Sequence, residues 1–237
     1  MPEPLIGETI TDIDGYEAGE LEVDLAGVAQ PARNGGAGAW SGSLEMEWRA
    51  TARVGLGLEV GLRGPLGAAV AGGAQAVSLR PAASLVLLHD PAHDFHLMAE
   101  ASAQLEEDGG LPSEPGDPAL PARFGLRAGL RQGFLTLRAG AGLGVGSGSA
   151  RRVPLRSGLA VLLGIGPAGR FGFAGVEVDA DWARRTPLLL APQLVVDAKT
   201  LGMPALLGLA LLLRLDPESH EPRLGFLLRV MVEIDRG

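Results

Sequence analysis

Three of the four histidines fall within eight residues, in His89-Asp90-Pro91-Ala92-His93-Asp94-Phe95-His96. Imidazoles and carboxylates together can hold a divalent ion. The spacing fits no standard site, however, and the segment falls where a short connection is expected, so it reads as a solvated turn. In Asp12-Ile13-Asp14-Gly15-Tyr16-Glu17 an Asp-x-Asp pair precedes glycine, as in part of a calcium loop. The third acidic position and the distal glutamate of such a loop are missing. Gly140 to Gly148 is glycine-rich but lacks the Lys-Ser/Thr of a phosphate-binding loop. Cysteine is absent, which removes disulfides, thiolate metal sites and a cysteine nucleophile. No serine and histidine are placed as a Ser-His-Asp hydrolase would need them. The expectation is a protein that is not an enzyme, with no metal and no cofactor.

The ionisable groups that remain are not clustered along the chain. They alternate with apolar residues. From Arg53 to Arg63 the chain puts Val54, Leu56, Leu58, Val60 and Leu62 on one parity, and Gly55, Gly57, Glu59, Gly61 and Arg63 on the other. That is a period of two, the signature of a strand with one apolar face and one small or charged face. Repeated with even spacing, the contrast suits a membrane-spanning barrel, with apolar side chains toward lipid and polar ones toward a lumen.

Composition supports that reading. The 237 residues are 46% hydrophobic and Lys199 is the only lysine. A formal net charge of −8 argues against a nucleic-acid partner, which would require a basic face. A spanning helix would need about 18 consecutive apolar residues. The best candidate, Leu201 to Leu213, is shorter and contains Pro204.

Parity gives about twelve strands in one domain, residues 19–237, preceded by residues 1–18 as an acidic periplasmic tail or a partial plug. The first strand sets Leu21, Val23 and Leu25 against Glu20, Glu22 and Asp24, and the second sets Leu44, Met46 and Trp48 against Glu45, Glu47 and Arg49. The fourth opposes Val77, Leu79, Leu85 and Leu87 to Ser78, Arg80 and Ser84, with Pro81 needing a bulge. The fifth carries His96, Glu100 and Ser102 on its polar face. Strands six and seven form the clearest hairpin around Gln132-Gly133, with Arg123, Arg127, Arg131 and Arg138 opposite Phe124, Leu126, Leu130, Leu135 and Leu137. In the ninth, Phe171 and Phe173 give way to Val176 and Val178 opposite Glu177 and Asp179, which predicts a bulge near Gly175. The tenth puts Leu190, Leu194 and Val196 opposite Gln193 and Asp197, and the twelfth puts Leu224, Phe226, Leu228 and Val230 opposite Arg223 and Arg229.

Connections alternate between short turns and longer stretches rich in Gly, Pro, Ser or charge, as short periplasmic turns and long extracellular loops would, with both termini periplasmic. Trp40 and Trp48 share parity eight residues apart, roughly 26 Å along a strand, which suits one indole at each membrane interface. The N-terminus, Met1-Pro2-Glu3-Pro4, has no basic and apolar signal segment, so a signal peptide is taken as removed.

Alternation, loop asymmetry and strand number together resemble Gram-negative outer-membrane β-barrel proteins from Gly19 to Asp235. No short motif names a subfamily. Two departures are visible: the chain ends Ile234-Asp235-Arg236-Gly237 rather than in an aromatic residue, and aromatic residues are 4%. The resemblance implies an all-β, closed antiparallel transmembrane barrel in the bacterial outer membrane, in contact with outer-membrane lipid and the barrel assembly machinery. A passive pore or small-solute transporter is the expected function, with small polar solutes as partners and no prediction of oligomeric state. Its lining residues would be Glu20, Glu22, Asp24, Glu45, Glu47, Glu59, Arg63, Glu100, Arg123, Arg127, Arg131, Arg138, Glu177, Asp179, Arg223 and Arg229. The arrangement predicts basic residues on strands six and seven across the lumen from acidic residues on strands one and two. A plugged structural barrel, with Arg223 and Arg229 neutralising Glu20 and Glu22, is one alternative. A soluble lipocalin-like barrel with inverted faces and an apolar ligand is the other.

Overall fold

In the computed structural model the described residues are 18–31, 38–66, 76–103, 105–107, 122–145, 155–167, 170–181, 188–198, 202–203, 205–215 and 223–234. The acidic motif at 12–17 lies outside them, as do most of the long connections. All regular elements among the described residues are strands: β1 Leu21–Gln30, β2 Gly38–Thr51, β3 Val54–Leu66, β4 Ala76–Asp90, β5 Phe95–Ala103 continued by Leu105–Glu107, β6 Ala122–Gln132, β7 Leu135–Val145, β8 Leu155–Ile165, β9 Gly172–Asp181, β10 Leu188–Asp197, β11 Ala205–Leu215 and β12 Arg223–Ile234. The two pieces of β5 form one barrel strand, because Ala82↔Ser102 and Leu79↔Leu105 belong to a single register against β4.

Every strand pairs antiparallel with its neighbours, and the first meets the last, from Leu21↔Ile234 to Ala29↔Phe226. The sheet is therefore a closed barrel of twelve strands, with no free edge to attract another chain. No helix among the described residues is long and apolar enough to cross a membrane.

The alternation seen in sequence becomes outside and inside. Leu25, Trp48, Leu56, Leu85, Phe124, Leu126, Leu159, Leu209 and Phe226 are all exposed on the outer face. Trp40 and Trp48 pair with Ala29 and Leu21, at opposite ends of β1. The Trp40 indole lies over Gly64, where a Cβ would come within 2.9 Å of Nε1. Glycine at that position lets the ring lie flat on the wall.

Three local expectations change. Pro81 sits in regular register opposite Leu58, and the irregularity in β4 comes between Val86 and Leu88. One extra residue there leaves Leu87 and Leu88 both exposed, as a bulge does. No bulge occurs near Gly175, since β9 keeps one register from Gly172↔Val196 to Ala180↔Leu188. The parity change is instead a real inward aromatic: Phe173 points into the barrel. Between β6 and β7 the turn residues are Gly133 and Phe134, flanked by the pair Gln132↔Leu135. Gly133 takes φ 62°, the left-handed conformation that a two-residue hairpin requires.

The short connections 52–53, 91–94 and 133–134 lie at one end with the start of β1 and the end of β12. The longest, 108–121, lies at the other. The contrast fades late in the chain, where 166–171 and 182–187 are equally long.

A second departure concerns the core. Val28, Leu189, Ala191, Val195, Ala210, Leu212, Leu227 and Met231 are buried together, with Phe173 packed against them. All project from the inner faces of β1 and β9 to β12, so one sector of the interior is apolar, where a uniformly small or charged lining was expected.

An arginine on the outer face at mid-strand would meet hydrocarbon, at a cost of about 2–4 kcal/mol near the bilayer midplane. Leu209→Arg, mid-strand in β11 and 56% exposed, is therefore expected to lower unfolding stability in lipid vesicles by that amount. In detergent-free solution the same substitution would be nearly neutral if that face met water, so urea titration of the two proteins in vesicles checks the assignment.

Candidate functional site

The polar interior is built by register. Asp24 pairs with Glu45, Glu45 with Glu59 and Glu59 with Arg80, so three carboxylates and one guanidinium stand in a row across β1 to β4. Glu22 faces Glu47 in the next row. Like charges directly opposite on a sheet repel. The row is tenable only because cations enter it from both sides.

Arg229 of β12 forms an ion pair with Asp24, and Arg80 of β4 with Glu59. Arg127 of β6 forms one with Glu100 of β5, and Arg49 Nη2 lies 3.3 Å from Glu47 Oε1. Ser84 Oγ donates to Glu47 Oε1 at 3.5 Å. Burial is deep: Arg229 is 2% exposed and Asp24 5%. Gly55 is needed beside them, because a Cβ there would collide with Ser84 Oγ and Glu47 Oε1. Glu22, Asp24, Glu45, Glu47, Arg49, Arg80, Ser84, Glu100, Arg127 and Arg229 surround a cavity of about 50 Å³. That is room for a few water molecules.

The structure thus brings Glu22, Asp24, Glu45, Glu47, Glu100, Arg127 and Arg229 to one cavity, with Glu59 held beside it by Arg80. Arg63 lies four residues from Glu59 along β3, two inward positions beyond the row, and its backbone pairs with Ser41. Arg123 and Arg138 occupy the inner parity of β6 and β7, opposite Gly144 and Gly129. Glu177 and Asp179 on β9 are buried. Glu20 precedes β1, and its carbonyl accepts the Arg49 N–H at 2.9 Å.

Two sequence expectations are refined. Arg229 forms an ion pair with Asp24; Arg223 begins β12, whereas Glu22 pairs with Glu233 near the strand's other end. Acids and bases are not segregated on opposite walls, since Arg49, Arg80 and Arg229 stand among the carboxylates of β1 to β3. Arg49, Arg80 and Ser84 were missing from the candidate set. Their parity marked them as inward residues, and the signal overlooked was cross-strand neighbourhood, which a single-strand reading does not supply.

The histidine segment divides. His93 Nδ1 lies 2.7 Å from Asp90 Oδ2 in an exposed turn, and this hydrogen bond lowers the Asp90 carboxyl pKa. His96 turns inward and is buried, its ring covering Gly129. Among the described residues no three His, Asp or Glu are grouped to hold a metal ion.

An apolar outside around a charged inside, on a closed antiparallel wall of twelve strands, is the architecture of outer-membrane porin-like β-barrels, and the chain has that fold. No protein-family model matches the chain, and no curated protein is similar to it in sequence. Among solved structures it is similar to KdgM porin, with TM-score 0.62 and 11% identity over 90% of this chain and 99% of that one. It is similar also to KdgM porin in complex with disordered oligogalacturonate, with TM-score 0.59 and 12% identity over 91% of this chain and 99% of that one. The likeness is one of fold.

Removing one partner of a buried ion pair strands the other charge, at about 3–5 kcal/mol. Asp24→Asn takes one carboxylate from Arg229 and is expected to lower stability by up to that order, measured by urea unfolding of the refolded barrel. Asp24→Asn with Arg229→Gln should recover most of the loss.

Proposed function

We propose that this protein is a passive pore of the bacterial outer membrane that admits small polar solutes. The observation that carries the reading is the cavity among the inward charges: the barrel's middle holds ionised groups and room for water where a filled structural barrel would hold packed apolar side chains. The exposed apolar belt supports contact with outer-membrane lipid, and assembly of a closed barrel in that membrane supports the barrel assembly machinery as a partner. In this reading the lining groups are the acids Glu20, Glu22, Asp24, Glu45, Glu47, Glu59, Glu100, Glu177 and Asp179 with the bases Arg63, Arg123, Arg127, Arg131, Arg138, Arg223 and Arg229. Arg49 and Arg80 join them.

The balance of charge bears on the solute. Oligogalacturonate, present in the KdgM complex, is an oligomer of a sugar acid. Here five carboxylates (Glu22, Asp24, Glu45, Glu47, Glu100) and four arginines (Arg49, Arg80, Arg127, Arg229) surround the cavity. A nearly balanced lining favours small neutral, zwitterionic or weakly cationic solutes over a polyanion, because an acidic chain would meet as much repulsion as attraction.

A second reading, a structural barrel without transport, is favoured by the buried apolar sector and the small size of the cavity. Planar-bilayer conductance at defined salt decides between them. An open pore gives ohmic steps with weak cation preference, and Arg127→Glu, which makes the balance six carboxylates to three arginines, should increase cation selectivity severalfold. Absence of any conductance from correctly inserted protein would exclude the pore. Unchanged selectivity in the variant would remove Arg127 from the path.

A further inference from the structure

One belt of inward side chains crosses most of the barrel wall and is buried nearly throughout. Following the register from strand to strand, Arg131 leads to Thr136, Leu162, Gly175, Gln193, Ala210, Leu227 and Val28. Thr136, Leu162, Gln193, Ala210, Leu227 and Val28 are all buried, and Gly175 is half-buried. Above it the Arg131 guanidinium sits 5.9 Å from the centre of the Phe173 ring. β6 and β9 are three strand spacings apart, roughly 14 Å along the wall. Their side chains therefore meet across the interior.

Within the belt one group is out of place. Gln193 is 6% exposed, and among the described residues no protein group hydrogen-bonds to either its amide oxygen or its nitrogen. Its register neighbours, Gly175 and Ala210, offer no polar side chain, and Ala191 and Val195 flank it on its own face. A buried amide with neither end satisfied strongly disfavours the state that buries it. The wall beside it is also weakened. Pairing between β10 and β11 passes from Leu190↔Leu213 to Gln193↔Ala210 without Ala191 or Pro192, and proline has no N–H to give a ladder.

We propose that this belt is a gate and that the structure holds it closed. Opening separates Arg131 from Phe173 and moves the β10 wall so that water reaches Gln193. The apolar packing of Leu162, Leu227 and Phe173 favours the closed state, whereas the orphaned amide and the interrupted β10–β11 ladder favour the open one. Such opposed terms allow a bistable element to exchange between two populated states. The inference rests on the pore reading, and it names the residues that control passage.

Single-channel recording of the wild type, Gln193→Leu and Phe173→Ala tests it, with each barrel first shown to be folded by heat-modifiable mobility and strand circular dichroism. Gln193→Leu removes the orphan from the closed state and adds an apolar group to the hydrated one, so its open probability is expected to fall about tenfold. Phe173→Ala removes the ring that Arg131 covers and is expected to raise open probability or unit conductance severalfold. A conducting wild type with Gln193→Leu open as often, or more often, overturns the gate while leaving the pore intact. Silence from all three folded, inserted barrels, Phe173→Ala included, overturns the pore reading and the gate with it.

Discussion

Closure of β1 on β12 is the constraint from which the rest follows. In hydrocarbon a backbone N–H or C=O without a partner costs several kcal/mol, and only a strand system without edges satisfies them all. The nine register pairs from Leu21↔Ile234 to Ala29↔Phe226 complete the ring. Once it is closed, the period-two geometry leaves each side chain one of two environments. Leucine, valine and phenylalanine take the outside because lipid accepts them. Charged groups are driven inward, where they must find one another.

That confinement explains the ion pairs. On an open, hydrated sheet the row Asp24, Glu45, Glu59 would be tolerated by water. Inside a narrow barrel the dielectric is lower and each carboxylate needs a cation nearby. Arg229 and Arg80 enter from the two ends of the row, and Arg49 serves Glu47 from the same strand. The arginines suit this role because a guanidinium stays ionised and presents a planar fork of donors. Scarcity of lysine in the chain fits the same need.

Much of this was legible because the barrel alphabet is simple. Alternation at Arg53 to Arg63 gave the faces of β3, and the same test placed Glu22, Asp24, Glu45, Glu47 and Arg127 on the inner wall. Partnership was legible only in part: ring closure put Arg229 beside the acids of the first strand, but the diagonal register that brings it to Asp24 is displayed by no single segment. Phe173 and Gln193 misled for related reasons. An aromatic on the polar parity looked like a register slip, and a glutamine on that parity looked like a lumen residue in water. Only the packing of Val195, Leu227 and Met231, from β10 and β12, shows that the sector around them is apolar. The positions of the irregularities were missed because Pro81 fits a regular ladder with its outward-facing neighbours, whereas the bulge at Val86 to Leu88 adds a leucine where any parity count still finds an apolar residue.

The interior therefore has two unlike halves, and its free space is governed by missing side chains more than by the radius of the cylinder. On β1 and β9 to β12 the inward leucines, valines and methionine meet and exclude water. On β6 and β7 the inward positions between arginines are glycines, and a Cβ at Gly125 or Gly142 would meet chiefly the neighbouring strand's backbone, at 3.4 to 3.9 Å. Among the described residues, nothing from the far wall comes within 4 Å of a Cβ at those two sites. If the proposed pore conducts, its polar path past the ion pairs runs against this glycine wall, with Arg123 and Arg127 beside it. The apolar belt climbs with the strand register toward the short-turn end, where Arg131 reaches across to Phe173.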